Sequence, residues 1–150
     1  CAEHAFKDTL YSIGKLIKIC VPLYPKDATD AGPVVFTQAV VECLSEHFQW
    51  DDDVKLFAGT FIQRYWMCLF ANLFCMKDVL TLWVYLIEPD TDKQRYYRLC
   101  AFTLEMLKPH PSVFAWGGAR AFSFLSSCEL HNVDTIILNT QKHGTAGKWR

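Results

Sequence analysis

The feature that most constrains this chain is the run from Val54 to Leu86, which is apolar on nearly every side of a helix. A helix at a protein surface keeps one polar face, whereas a helix that is hydrophobic all round lies at the centre of a structure. The sequence therefore predicts a central helix over 54–76, separated by Lys77-Asp78 from a further helix. Large apolar side chains within the run include Phe57, Phe61, Ile62, Tyr65, Trp66, Met67, Leu69, Phe70, Leu73, Phe74, Met76, Val79, Leu80, Leu82, Trp83, Val84, Tyr85 and Leu86.

Other segments repeat apolar residues every three or four positions, which is the helical period. Further helices are expected over 2–21, 34–49, 92–108, 112–128 and a short stretch after 132. The acidic triplet at 51–53 favours the start of the central helix, Asp78 the start of the next and Asn132 the start of the last. We expect an all-α fold: a compact single-domain bundle of about six or seven helices over 1–138, with a flexible tail over 139–150.

Composition excludes several classes of protein. The chain has 150 residues, of which 51% are hydrophobic, so it is not disordered. Lys and Arg number 15 against 16 Asp and Glu, without the basic stripe of a nucleic-acid-binding domain. Arg64 and Lys77 bound the longest apolar stretch, which is shorter than the roughly 20 residues that span a bilayer. We expect neither a nucleic-acid partner nor a membrane span.

The seven cysteines are odd in number and scattered, unlike the dense, even sets of small secreted scaffolds. Most lie on apolar helical faces, where a free thiol packs as a small hydrophobe. Reduced thiols and an intracellular location, cytoplasmic or nuclear, are therefore expected. The chain begins with Cys1 rather than Met, which favours a processed product or a piece of a larger polypeptide.

No catalytic or cofactor-binding residue can be assigned from motifs. The sequence has no glycine-rich phosphate loop, nucleophile elbow, His-Glu-x-x-His or Cys-x-x-Cys. We therefore expect a protein without catalytic activity and without a cofactor.

A structural zinc site is the alternative to a metal-free domain. Cys43 with His47, and Cys128 with His131, each place two zinc-ligand types on one helix face, because residues three or four apart are neighbours there. Two such pairs meeting in space would make a tetrahedral site. The competing interpretation is that these spacings arise by chance and that Cys43 packs in the core.

Five residues are the candidates for contact with a partner. Arg64 interrupts the apolar run, and a buried arginine would need a partner to offset the cost of its charge. An arginine at the surface would instead be free to bind a carboxylate or phosphate of another protein. Tyr96, Tyr97, Phe114 and Trp116 flank predicted helix ends near Pro109 and Pro111, and such aromatics are enriched at interfaces.

The segments 61–70, 79–84 and 97–107 together resemble the C-terminal half of a TBC domain, a helical module that accelerates GTP hydrolysis by Rab GTPases. The matching positions are Arg64, Trp66, Leu69, Phe70, Leu80 and Trp83. The resemblance implies a helical fold and a GTPase-activating regulator. However, the aspartate of the family's Trp-Asp pair is replaced by Val84, and the arginine and glutamine motifs are missing. It therefore implies a fragment or an inactive relative, and no catalytic residue is carried over.

These observations favour a helical protein–protein interaction or regulatory module that binds another protein or a second copy of itself. A TBC-like regulator and a zinc-stabilised helical module are the alternatives.

Overall fold

The structure, a computed structural model, describes residues 2–20 and 35–142, and in this part of the chain all regular structure is helical. The prediction of an all-α bundle is confirmed. Seven α-helices are described: α1 (Ala2–Cys20), α2 (Val35–Phe48), α3 (Asp52–Trp66), α4 (Met76–Ile87), α5 (Asp92–Leu107), α6 (Gly118–Leu125) and α7 (Val133–Lys142). Short 3-10 helices cover Val113–Trp116 and Cys128–Leu130.

Side-chain caps fix the starts of α3 and α7. Asp51 accepts a hydrogen bond from the backbone N–H of Val54 at 2.8 Å, as expected for the acidic triplet. Asn132 accepts from the N–H of Thr135 at 2.9 Å, which confirms its predicted role. The expectation that Asp78 caps the next helix is wrong, because α4 begins after Cys75. Asp78 lies within the first turn of α4, where its carboxylate accepts a hydrogen bond from the Cys75 thiol.

The bundle is built around α5 rather than around the predicted helix 54–76. Helix α5 packs against α1, α2, α4 and α7, and every residue from Leu99 to Leu107 is buried. Burial on all sides is possible there because the charged residues of α5 are concentrated near its first turns, apart from Glu105. Glu105 is 6% exposed and pairs with the Lys108 ammonium at 2.7 Å.

The predicted central helix ends early, at Trp66, and a turn over 67–75 leads into α4. Leu69 and Phe70 have positive φ angles of 47° and 63°. The N–H of Phe70 donates to the Tyr65 carbonyl and the N–H of Leu69 to that of Trp66. This is the hydrogen-bond pattern of a Schellman motif, which usually places glycine where Leu69 stands. Leu69 and Phe70 are both buried, so their apolar burial offsets the unfavourable backbone conformation.

A hydrogen bond joins the end of α3 to the central helix. Trp66 is fully buried, and its indole N–H donates to the Thr103 hydroxyl of α5 at 2.8 Å. That hydroxyl in turn donates to the Leu99 carbonyl, so every polar atom of the pair is used. Trp83 donates to the Leu69 carbonyl and thereby ties α4 to the turn.

Two boundaries near the C-terminus differ from the sequence expectation. The helix predicted over 112–128 is interrupted at Gly117, whose φ of 93° favours glycine, and Ser112 makes no capping hydrogen bond. Residues 139–142, which the sequence assigned to the tail, belong to α7, where Thr140 is buried and hydrogen-bonded to the Tyr85 hydroxyl. The remaining positions 143–150 lie outside the described residues.

Two histidines, His110 before α6 and His131 after it, lie close together in a poorly solvated environment. Burial lowers the pKa of His131 and of His110, whose ring centroids lie 6.2 Å apart. The His131 Nε2 is hydrogen-bonded to the Leu125 carbonyl at 2.8 Å, and its ring packs against Phe74. Protonating both rings would place two like charges next to each other in partly apolar surroundings.

We expect the free energy of unfolding to decrease as the pH falls from 7 to 5.5. In the unfolded chain His110 and His131 have an ordinary pKa of about 6.5, so they bind protons more readily than in the folded chain. Stability is therefore present above that pKa and is lost as the pH falls through it towards the folded values. Urea unfolding across this pH range measures the slope. The variant His131→Phe should flatten the slope, and His47→Gln, which alters an exposed histidine, should not; equal slopes in all three proteins would contradict the assignment.

Candidate functional site

Arg64 lies at the surface, beside a groove between α3 and α6. The groove has a volume of about 390 Å³ and is lined by Phe57, Thr60, Phe61, Arg64, Gly118, Ala119 and Phe122; we call it the Arg64 groove. Arg64 is its one charged lining residue. The sequence left two placements open, buried or exposed, and the structure shows the second.

The aromatic floor of the groove is positioned by the core beneath it. Phe122 packs edge-on against Phe61 and is stacked on Tyr65, with ring centroids 5.9 and 6.1 Å apart. The Tyr65 hydroxyl is hydrogen-bonded to Ser126 at the end of α6. The rings of Phe61 and Tyr65 are almost fully buried, so Phe122 rests on a fixed surface.

Gly118 allows α6 to approach α3 closely. A Cβ atom at this position would overlap the ring of Phe57, so any larger residue would push the two helices or that ring apart. The Gly117-Gly118 pair therefore serves two purposes: Gly117 breaks the helix, and Gly118 narrows the groove.

The guanidinium of Arg64 rests on the groove rather than in an ion pair. Its central carbon lies 4.7 Å from the centroid of the Phe122 ring, a cation–π contact. Within the described ranges, no carboxylate lies close enough to Arg64 to form a salt bridge. An exposed guanidinium held over an aromatic ring is a fixed, planar hydrogen-bond donor that suits a carboxylate or phosphate.

The groove offers binding groups but few groups for chemistry. The Thr60 hydroxyl donates to the Leu56 carbonyl of its own helix, so it is engaged within the backbone. Gln63, next to Arg64, points towards α2. There its side-chain Oε1 accepts a hydrogen bond from the Thr37 hydroxyl, with 2.6 Å between the two oxygen atoms. A glutamine turned inward in this way is poorly placed to orient a water molecule at the groove.

None of the other four candidate partner-binding residues lines the Arg64 groove. Phe114 is 3% exposed, and its ring packs against Trp50, so its predicted exposure is wrong. The Tyr96 hydroxyl donates to backbone carbonyls at the end of α1. Tyr97 lines a separate polar cavity that also contains Lys93 and Arg98. Trp116 is exposed, with the Arg120 guanidinium 4.9 Å from its ring.

The predicted zinc ligands lie in different surroundings. His131 is buried and bonded to the Leu125 carbonyl, whereas His47 is exposed and packs on Phe48. Cys43 is partly buried on α2, and the side chain of Cys128 lies outside the described part of the structure. Over the residues that are described, no three His, Cys, Asp or Glu side chains are grouped so as to hold a metal ion.

Four cysteines whose side chains are described form no disulfide bond: Cys43, Cys68, Cys75 and Cys100. Burial raises the pKa of Cys100 to about 12, which makes it unreactive.

None of the helices in residues 2–20 and 35–142 is long and apolar enough to cross a membrane.

Sequence reasoning identified Arg64 but missed the aromatic residues around it. Phe57 and Phe122 have the same spacing as core residues, and only the closeness of α6 to α3 shows that they line a groove.

No family model matches the chain, and neither the curated proteins nor the solved structures that were compared with it give a match.

Proposed function

We propose that this chain is a non-catalytic helical interaction module that binds a partner protein through the Arg64 groove. The observation that carries the proposal is Arg64 itself: an exposed guanidinium without a salt-bridge partner among the described side chains, set on Phe122 at the edge of an apolar groove. The lack of a disulfide at the four described cysteine side chains is consistent with a reducing intracellular compartment.

The groove defines the chemistry of the partner segment. Its walls are aromatic and aliphatic, so an apolar side chain of the partner would be buried there. A carboxylate one or two positions away would reach the Arg64 guanidinium and form a bidentate pair. The expected ligand is therefore a short peptide segment with a large apolar residue next to Asp or Glu.

A phage-displayed library of random peptides tests this directly. We expect selection on the chain to enrich peptides in which an aromatic or aliphatic residue adjoins an acidic one. In fluorescence anisotropy, Arg64→Glu should weaken their binding at least tenfold, since it replaces an attraction by a repulsion. Lys77→Glu makes the same charge change at an exposed residue outside the groove and should leave binding unchanged.

Three outcomes would contradict the proposal. The library could yield no enrichment, the enriched peptides could lack acidic residues, or Arg64→Glu could bind them as well as the original chain does. Circular dichroism spectra of the variants would show that the helices are intact, so that a loss of binding is not a loss of fold.

The TBC-like alternative has one observation in its favour, the exposure of Arg64. An arginine that stabilises the transition state of GTP hydrolysis must project from the surface. The inward position of Gln63 argues against a complete catalytic pair. Single-turnover GTP hydrolysis by a panel of Rab GTPases distinguishes the two functions, because an interaction module leaves the rate unchanged, whereas a regulator raises it in an Arg64-dependent manner.

A further inference from the structure

Helix α1 turns its most apolar face towards solvent. Four large side chains spaced along it are between 45% and 63% exposed. They are Phe6, Leu10, Ile13 and Ile17, and we call them the α1 stripe. Soluble monomers rarely leave a continuous apolar surface of this kind uncovered. The four residues recur every three or four positions and therefore share one face of the helix.

The opposite side of α1 attaches it to the rest of the domain. Ile19 is fully buried, and an α-helix advances about 100° per residue, so it lies roughly opposite Leu10. The Tyr96 hydroxyl donates to the Lys18 and Ile19 carbonyls, and the Lys15 ammonium donates to the Ile87 carbonyl. These contacts all involve the second half of α1. The stripe is therefore exposed because the helix is held by its other face.

The spacing of the stripe matches a helix-pairing seam. Successive members are separated by four, three and four residues, which is the alternation of a and d positions in a coiled coil. Leu10 and Ile17 occupy a positions, and Phe6 and Ile13 occupy d positions. The positions that flank the seam hold Lys7, Thr9, Gly14 and Leu16, so a single charge borders it.

The charges favour an antiparallel arrangement of two identical helices. In a parallel pair, Glu3 would occupy the next a position and face Glu3 of the second copy, which is unfavourable. In an antiparallel pair the two Glu3 side chains lie at opposite ends, and Leu10 packs against Ile13 of the other helix. The flanking e positions then face each other, so Lys7 of one copy lies opposite Gly14 of the other and meets no like charge. A Cβ at Gly14 would meet no atom of its own chain within 4 Å, so a second helix can approach there.

We propose that two copies of this chain associate through an antiparallel, two-fold symmetric pairing of their α1 helices along the α1 stripe. This surface is separate from the Arg64 groove, so each proposal can fail without the other.

Analytical ultracentrifugation at increasing concentration tests the association. We expect the mass to rise from 17.3 kDa towards twice that value for the original chain. The double variant Leu10→Glu with Ile13→Glu should remain at the monomer mass, because two carboxylates per helix would face each other in the seam. Tyr11→Glu adds a charge to the same helix at a residue that is 68% exposed but outside the stripe, and it should still dimerise.

A photo-crosslinker at position 6 reports the orientation of the helices. In an antiparallel pair, benzoylphenylalanine in place of Phe6 should attach to the region around Ile17 of the second copy, as mapped by mass spectrometry on a mixture of isotope-labelled and unlabelled chains. Attachment to the region around Phe6 would overturn the antiparallel arrangement. A monomer mass at all concentrations, or dimerisation of the double variant, would overturn the α1 pairing itself.

Discussion

Replacing Trp66 by alanine should lower the free energy of unfolding by about 3–5 kcal/mol, the range for removing a large aromatic side chain from a core. The side chain is fully buried at the end of α3, and its indole N–H donates to Thr103 on the central helix α5. Its removal leaves a cavity between two helices and deprives the Thr103 hydroxyl of its donor. Urea unfolding followed by circular dichroism measures the change.

Trp66→Phe separates the two contributions of this residue. Phenylalanine keeps most of the apolar volume but cannot donate a hydrogen bond, so we expect a smaller loss of about 1–2 kcal/mol. The Thr103 hydroxyl still donates to the Leu99 carbonyl in that variant, which limits the cost. A loss below about 1 kcal/mol for Trp66→Ala would show that this residue is not part of the core.

The helical period predicted most of the helices because amphipathic segments bury one face wherever they pack. The turn after Trp66 could not be predicted in this way, since it contains neither glycine nor proline. It forms because Leu69 and Phe70 gain more from burial than their backbone loses in the left-handed conformation. Tertiary packing thus overrides the local backbone preference. A sequence pattern contains information about local preferences only.

The choice of central helix depended on the same distinction. Apolar residues surround the segment 54–86 on all sides, but part of that surface, including Met76, Leu80 and Val84 on α4, is exposed. Helix α5 carries more charge, yet it contacts four other helices because its charged residues lie near one end. Position in a bundle depends on which neighbours a helix meets, and composition alone does not specify them.

The candidate site shows a similar division between local and long-range information. Arg64 could be selected from the sequence, because a charge inside an apolar run requires an explanation. Its neighbours Phe122 and Gly118 lie more than fifty residues further along the chain, and no periodicity connects them to α3. The α1 stripe was visible as a pattern, but a pattern does not say whether its face is covered by the same chain.

Phe114→Ala should also cost about 3–5 kcal/mol of unfolding free energy, although the sequence suggested that this residue contacts a partner. Its ring is buried among three aromatic neighbours, with centroid distances of 5.1 Å to Trp50, 5.6 Å to Phe61 and 6.3 Å to Phe57. It fixes the segment after α5 against α3. Removing the ring would leave a cavity where this segment meets α3.

Trp116→Ala is the matched control, because it removes a larger aromatic side chain two residues further along the same 3-10 helix. Trp116 is 44% exposed and contacts Phe124 at the surface, so its loss should cost under about 1 kcal/mol. Urea denaturation of the two variants under the same conditions gives the comparison. Equal costs, or a larger cost for Trp116, would mean that this short helix does not direct Phe114 into the core, and the placement of α6 beside α3 would then be wrong as well.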